Sequence, residues 1–100
     1  MIKHVVMWRF KTEAEGRTKL ENMEELKRQL LALVPLIPQI KKMEVGFDIT
    51  HSEFSADFML STEFESVEDL KIYAVHPDHL KVSGFVVKVV ESKIVFDCEI

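Results

Sequence analysis

Three side chains that handle protons fall within the seven residues Tyr73-Ala74-Val75-His76-Pro77-Asp78-His79. Pro77 has no amide hydrogen and a locked φ, so it suits the first turn of a new helix and holds His76 extended. Tyr73 then closes one helix and His79 opens the next. A phenol and an imidazole on the two sides of a sharp corner can face one volume. Histidine titrates near pH 6.5 and tyrosine near 10, so the set suits proton transfer at neutral pH. Residue types alone leave a second reading open, in which Tyr73 is a core residue with a wet hydroxyl and His76 an ordinary turn residue.

Metal chemistry would have to draw on His76, Asp78, His79 and His4. Catalytic zinc takes three protein ligands and an open position. His76 lies outside the helix that carries His79, so no ligand pair at helical spacing is available, and no metal is expected. The chain has only three glycines and no phosphate-cradling loop; with no axial-ligand pattern for haem either, no cofactor is expected.

The elements that must position these groups can be read from periodicity. Ile2, His4, Val6, Trp8 and Phe10 alternate with Lys3, Val5, Met7 and Arg9, which predicts a strand over 2–10 with His4 on its apolar face. Thr12-Glu13-Ala14-Glu15 reads as a capping box that opens a helix. Leu20, Met23, Leu26, Leu30, Leu33 and Val34 recur at helical spacing until Pro35 and Pro38. Met43, Val45, Phe47 and Ile49 mark a second strand, and Thr50-His51-Ser52-Glu53 the loop of a hairpin. Ala56, Phe58, Leu60, Thr62 and Phe64 form the inward side of a third strand. Ser66 caps a short helix with Val67, Leu70 and Tyr73 on one side. The corner starts another helix, with Leu80, Phe85, Val86, Val89 and Val90 near one face, where close packing on the sheet would compensate Gly84. A last strand over 93–99 is expected to turn Ile94, Phe96 and Cys98 inward, which makes Cys98 a small core residue.

The order β-α-β-β-α-α-β predicts an α+β, ferredoxin-like domain spanning 1–100, an antiparallel sheet with helices on one face. Its other face is expected to carry Val5, Met7, Met59 and Val95 among Lys3, Arg9, Glu44, Asp48, Glu63 and Asp97. That mixture suits contact with another surface.

Composition narrows the function classes. One hundred residues, 47% hydrophobic and 30% charged, fit one soluble globular domain. A net charge of -4 with scattered basic residues argues against nucleic acid as a partner. No apolar run approaches the ~20 residues that span a bilayer, so no membrane association is expected. Met1-Ile2-Lys3-His4 runs straight into a strand pattern without a signal-peptide core, and a cytoplasmic location is expected.

Several segments together resemble the stress-responsive A/B barrel, or dimeric alpha-beta barrel, family. They are Met1-Ile2-Lys3-His4-Val5-Val6, Glu44-Val45-Gly46, Phe64-Glu65-Ser66-Val67-Glu68-Asp69-Leu70, Tyr73-x-x-His76-Pro77-x-His79 and Val95-Phe96-Asp97. The resemblance implies a ferredoxin-like subunit whose sheet faces that of a second copy, making a β-barrel across a homodimer. Most members are small bacterial proteins without an assigned activity; plant members include stress-induced proteins and an aromatic polyketide cyclase. In the cyclase type the catalytic groups match Tyr73, His79 and His4 of this sequence. Phe58 stands where that cyclase presents a polar group, a departure that bears on the substrate. The resemblance thus implies His79 as base, Tyr73 as hydroxyl donor and His4 as positioning partner. A pocket for a small hydrophobic molecule is expected around them, with Trp8, Phe58, His76 and Phe85 as ligand-binding residues. The alternative is a non-catalytic stress or scaffold homodimer with no substrate.

Overall fold

The structure is a computed structural model that describes residues 1–100. Its main sheet has four antiparallel strands in the order β4-β5-β1-β6, formed by Lys42–Phe47, Phe58–Phe64, Ile2–Phe10 and Val90–Glu99. Helices α1 (Lys19–Leu31), α2 (Val67–Val75) and α3 (Pro77–Val89) pack on one face of it. This is the ferredoxin-like α+β architecture. The core joins Val6, Trp8, Phe10, Phe58, Leu60 and Phe64 of the sheet to Met23, Leu26, Leu30, Tyr73, Val82, Val86 and Val89 of the helices.

The helix start expected at Thr12 is displaced. Ahead of α1 the spacing T-x-x-E occurs at Thr12/Glu15 and again at Thr18/Glu21, and of these two only the second caps a helix. Glu15 and Gly16 have φ of 53° and 72°. Two consecutive positive φ values make the tight turn of a two-residue hairpin. It joins two short strands, β2 (Glu13–Ala14) and β3 (Arg17–Thr18), where helix was expected. The Thr18 side chain then accepts from the Glu21 amide at 3.2 Å, while the Glu21 carboxylate accepts from the Thr18 amide at 2.9 Å. Buried Asn22 donates to the Ala14 carbonyl at 3.0 Å and ties this ribbon to α1. At its other end α1 stops at Leu31, with Ala32 as C-cap, and Pro35, which has no amide hydrogen, cannot bond back to the Leu31 carbonyl and continue it.

Leu20, Val34, Ile49, Val67 and Leu80, expected inward, are exposed. Gly84 is also corrected: a Cβ placed on it meets nothing within 4 Å, so no close approach to the sheet requires glycine there.

Strand β6 departs furthest from the expected arrangement. It starts at Val90, directly after α3, and pairs with β1 so that Val95 lies opposite Val6 and Asp97 opposite His4. Directly opposed residues share a face. Val95 and Asp97 therefore face the helices, while Ile94, Phe96 and Cys98 join Val5, Met7 and Lys3 on the outer face. The observed alternation is one residue out of phase with the expected one, because on this strand the more apolar side is the outer one. Cys98 is accordingly half-buried on the outer face and not a core residue.

Candidate active site at the helix corner

His76 ends α2 and begins α3 with φ −62° and ψ 135°, the extended conformation that Pro77 imposes on its predecessor. Its ring nitrogen Nδ1 accepts from the Asp78 amide at 3.1 Å, so His76 is the N-cap of α3. The corner brings Tyr73 of the last turn of α2 against His79 of the first turn of α3, with ring centroids 4.3 Å apart. His4 on β1 meets Tyr73 edge-on at 6.5 Å. Thr62, opposite His4 on β5, donates its hydroxyl hydrogen to the His4 carbonyl at 3.3 Å and fixes that stretch of β1.

Each polar group has a definite state. The His79 Nδ1 lies 3.1 Å from the Ala74 carbonyl, which can only accept, so Nδ1 carries the hydrogen and neutral His79 has its lone pair on Nε2. Burial lowers the His79 pKa below its ordinary 6.5, outweighing the hydrogen bond to the Ala74 carbonyl that raises it, and the Lys93 charge lowers it further. His79 is thus a neutral imidazole, able to take a proton, at pH 7. Tyr73 is 1% exposed, its hydroxyl has no hydrogen-bond partner, and burial pushes its pKa well above the ordinary value of 10. The phenol keeps its proton and can donate it in a hydrogen bond. Asp97 accepts from His4 Nδ1 and orients that ring.

His4, Tyr73 and His79 converge on a cavity of about 680 Å³ between the corner and the sheet, with apolar walls that include Val6, Leu60, Val82 and Val86. That volume is in the range of small-molecule sites. Trp8 also lines it. Phe58, His76 and Phe85 are placed elsewhere. Phe58 packs behind the wall against Trp8, Phe10 and Phe47 at 5.5, 5.7 and 5.4 Å. His76 serves the helix cap, and Phe85 faces Glu25 and Gln29 of α1. Lys93, not anticipated from sequence, lines the cavity too, and so does Asp97, which was expected on the outer face. The signal was available only through register, since the strand pairing puts it beside His4.

An open antiparallel sheet with helices on one face, and a cavity between that sheet and a tyrosine–histidine helix corner, places the chain among the ferredoxin-like α+β proteins. The chain belongs to the stress responsive A/B barrel domain family, whose model matches residues 2–100. It is 30% identical over 98 residues to olivetolic acid cyclase of Cannabis sativa, covering 96% of this chain and 93% of that one. A dimeric protein of unknown function and ferredoxin-like fold from Bacteroides fragilis superposes with a TM-score of 0.88 at 30% identity, over 99% of this chain and 95% of that one. Hydroxynitrile lyase from Passiflora edulis shares the fold at a TM-score of 0.83 and 17% identity, over 97% and 90% of the two chains.

Proposed function

We propose that this protein binds a small hydrophobic oxo-compound in the corner cavity and catalyses proton transfer next to its carbonyl, in the manner of an aldol-type cyclase. The observation that carries the reading is the convergence of a neutral imidazole and a protonated, unpartnered phenol on one apolar cavity. The cyclase relative from Cannabis sativa supports the same chemistry. An open cavity of this size favours a ligand over a scaffold whose interior is filled by side chains.

In this mechanism His79 Nε2 takes a proton from the carbon beside the ligand carbonyl. The C–H electrons form the enolate double bond, and the charge moves to oxygen. Tyr73 donates a hydrogen bond to that oxygen, a contact that strengthens as charge develops. The enolate carbon attacks a second carbonyl of the same molecule, forming a carbon–carbon bond. The resulting alkoxide recovers the proton from the His79 imidazolium. His4, oriented by Asp97, positions the ligand beside Tyr73.

The protein acts as a homodimer through its outer sheet face. There Ile94 is 68% and Phe96 61% exposed, next to Val5, Met7 and Met59. The dimeric Bacteroides fragilis structure supports this arrangement. Activity is tested by comparing wild type with Tyr73→Phe and His79→Ala on a panel of β-polyketones. Product from wild type, lost in both variants, is expected. Absence of turnover, or folded variants that match wild type, overturns the cyclase reading.

A further inference from the structure

The cavity has a second end that this chemistry does not use. His4 and Trp8 lie on the same face of β1 four residues apart, about 13 Å along the strand. Trp8 is 5% exposed, lines the cavity, and its indole N–H has no partner in the protein. Indole nitrogen is a donor only, and a buried donor without an acceptor is costly. Lys93 on β6 is the cross-strand partner of Trp8, so their Cβ atoms stand about 5 Å apart. Its side chain also lines the cavity, and its charge is felt as far as His79. The acidic wall residue at the opposite end, Asp97, is already paired with His4; Glu91 shares the wall near Lys93.

Resting on the function proposed above, we propose that Trp8 and Lys93 form an acceptor-binding end, so that the ligand is an elongated apolar oxo acid. Its ketone lies at Tyr73 and His79, and its carboxylate accepts from the Trp8 indole beside the Lys93 ammonium. Trp8 is then a specificity residue, selecting for an acceptor oxygen at that end, and Lys93 selects for its negative charge.

Calorimetric titration with three probes separates these parts: a decanoate with a ketone near its far end, its methyl ester, and the ketone with methyl in place of carboxylate. Wild type is expected to bind the acid more tightly than the ester, and the acid about tenfold or more above the plain ketone. Trp8→Phe should bring the ester to the level of the ketone. Lys93→Gln, at an exposed residue, should bring the acid to the level of the ester. Equal binding of all three probes by wild type, or an unchanged ranking in Lys93→Gln and in folded Trp8→Phe, overturns the assignment. If wild type binds the plain ketone in a Tyr73-dependent way without preferring the acid, this inference falls and the proposed function stands. If no probe binds, both fall.

Discussion

Removing the Tyr73 hydroxyl should make the free protein more stable while disabling it. The ring fills the core between Phe64, 5.1 Å away, and His79, and Tyr73→Phe leaves that packing in place. What it removes is a buried hydroxyl with no hydrogen-bond partner. Burying such a group without compensation costs about 1–3 kcal/mol in proteins. Losing it should therefore stabilise the fold by about 1 kcal/mol, a rise of about 4–8 °C in Tm for a chain of this size. The usual outcome has the opposite sign, because deleting a satisfied buried hydroxyl costs about 1 kcal/mol. The two cases are thus separated by direction. Urea unfolding followed by circular dichroism, at one fixed protein concentration, reads the midpoint, and an unchanged slope shows that the unfolding reaction is the same. The same variant should lose about 100- to 1000-fold in turnover, as when an oxyanion donor is removed. A Tyr73→Phe protein less stable than wild type by 1 kcal/mol or more would refute the reasoning, because the hydroxyl would then have a structural partner. Groups held ready for a ligand lower the stability of the empty site, and this trade-off marks functional positions.

Other expectations concern separate parts of the molecule. Nitrogen-edited NMR should find neutral His79 protonated on Nδ1, with a midpoint below 6.5; a midpoint above 6.5 would contradict the burial argument. The sign for stability follows from that lowered pKa: the His79 contribution is present above pH 6.5 and is lost as pH falls through the window down to the folded-state value. Gly84→Ala should stabilise α3 by about 1 kcal/mol, since glycine is the poorer helix former and the added methyl meets nothing; a lower Tm would show a contact on that helix face. Phe96→Glu, on the outer sheet face, should shift sedimentation equilibrium toward the 11.6 kDa monomer, and wild type that is already monomeric at micromolar concentration would remove the dimer proposal. Glu25, whose pKa the Arg28 and Gln29 hydrogen bonds lower to about 2, should stabilise the fold above pH 4.5 and lose that effect as pH falls toward 2. Because Arg28 is exposed, Glu25→Gln should cost no more than about 1 kcal/mol in urea unfolding at pH 7.

Much of the architecture was legible because local and global signals agree along most of the chain. The corner is the clearest case: proline restricts its predecessor, and that one restriction ends α2, starts α3 and opposes Tyr73 to His79. Strands β1 and β5 were equally readable, since their apolar sides are also their buried sides. The start of α1 was not, because two identical capping patterns six residues apart compete. The choice falls to Glu15-Gly16, whose positive φ values turn the chain back before a helix can propagate.

Strand β6 failed for a reason tied to function. Periodicity reports which residues avoid water, and it cannot tell a core from an interface. On β6 the water-avoiding residues Ile94 and Phe96 lie on the outer face, and the helix-facing series runs Lys93, Val95, Asp97. A strand with charges on its inner side looks inverted until those charges acquire partners. Asp97 orients His4, and Lys93 stands beside the unpartnered indole of Trp8. An apolar outer face and a polar inner end on one strand are what a subunit needs if its sheet meets another copy while its interior stays open to a polar ligand. The apolar periodicity of β6 runs out of phase with the core because its outer side suits the proposed sheet-to-sheet contact and its inner side the proposed binding end.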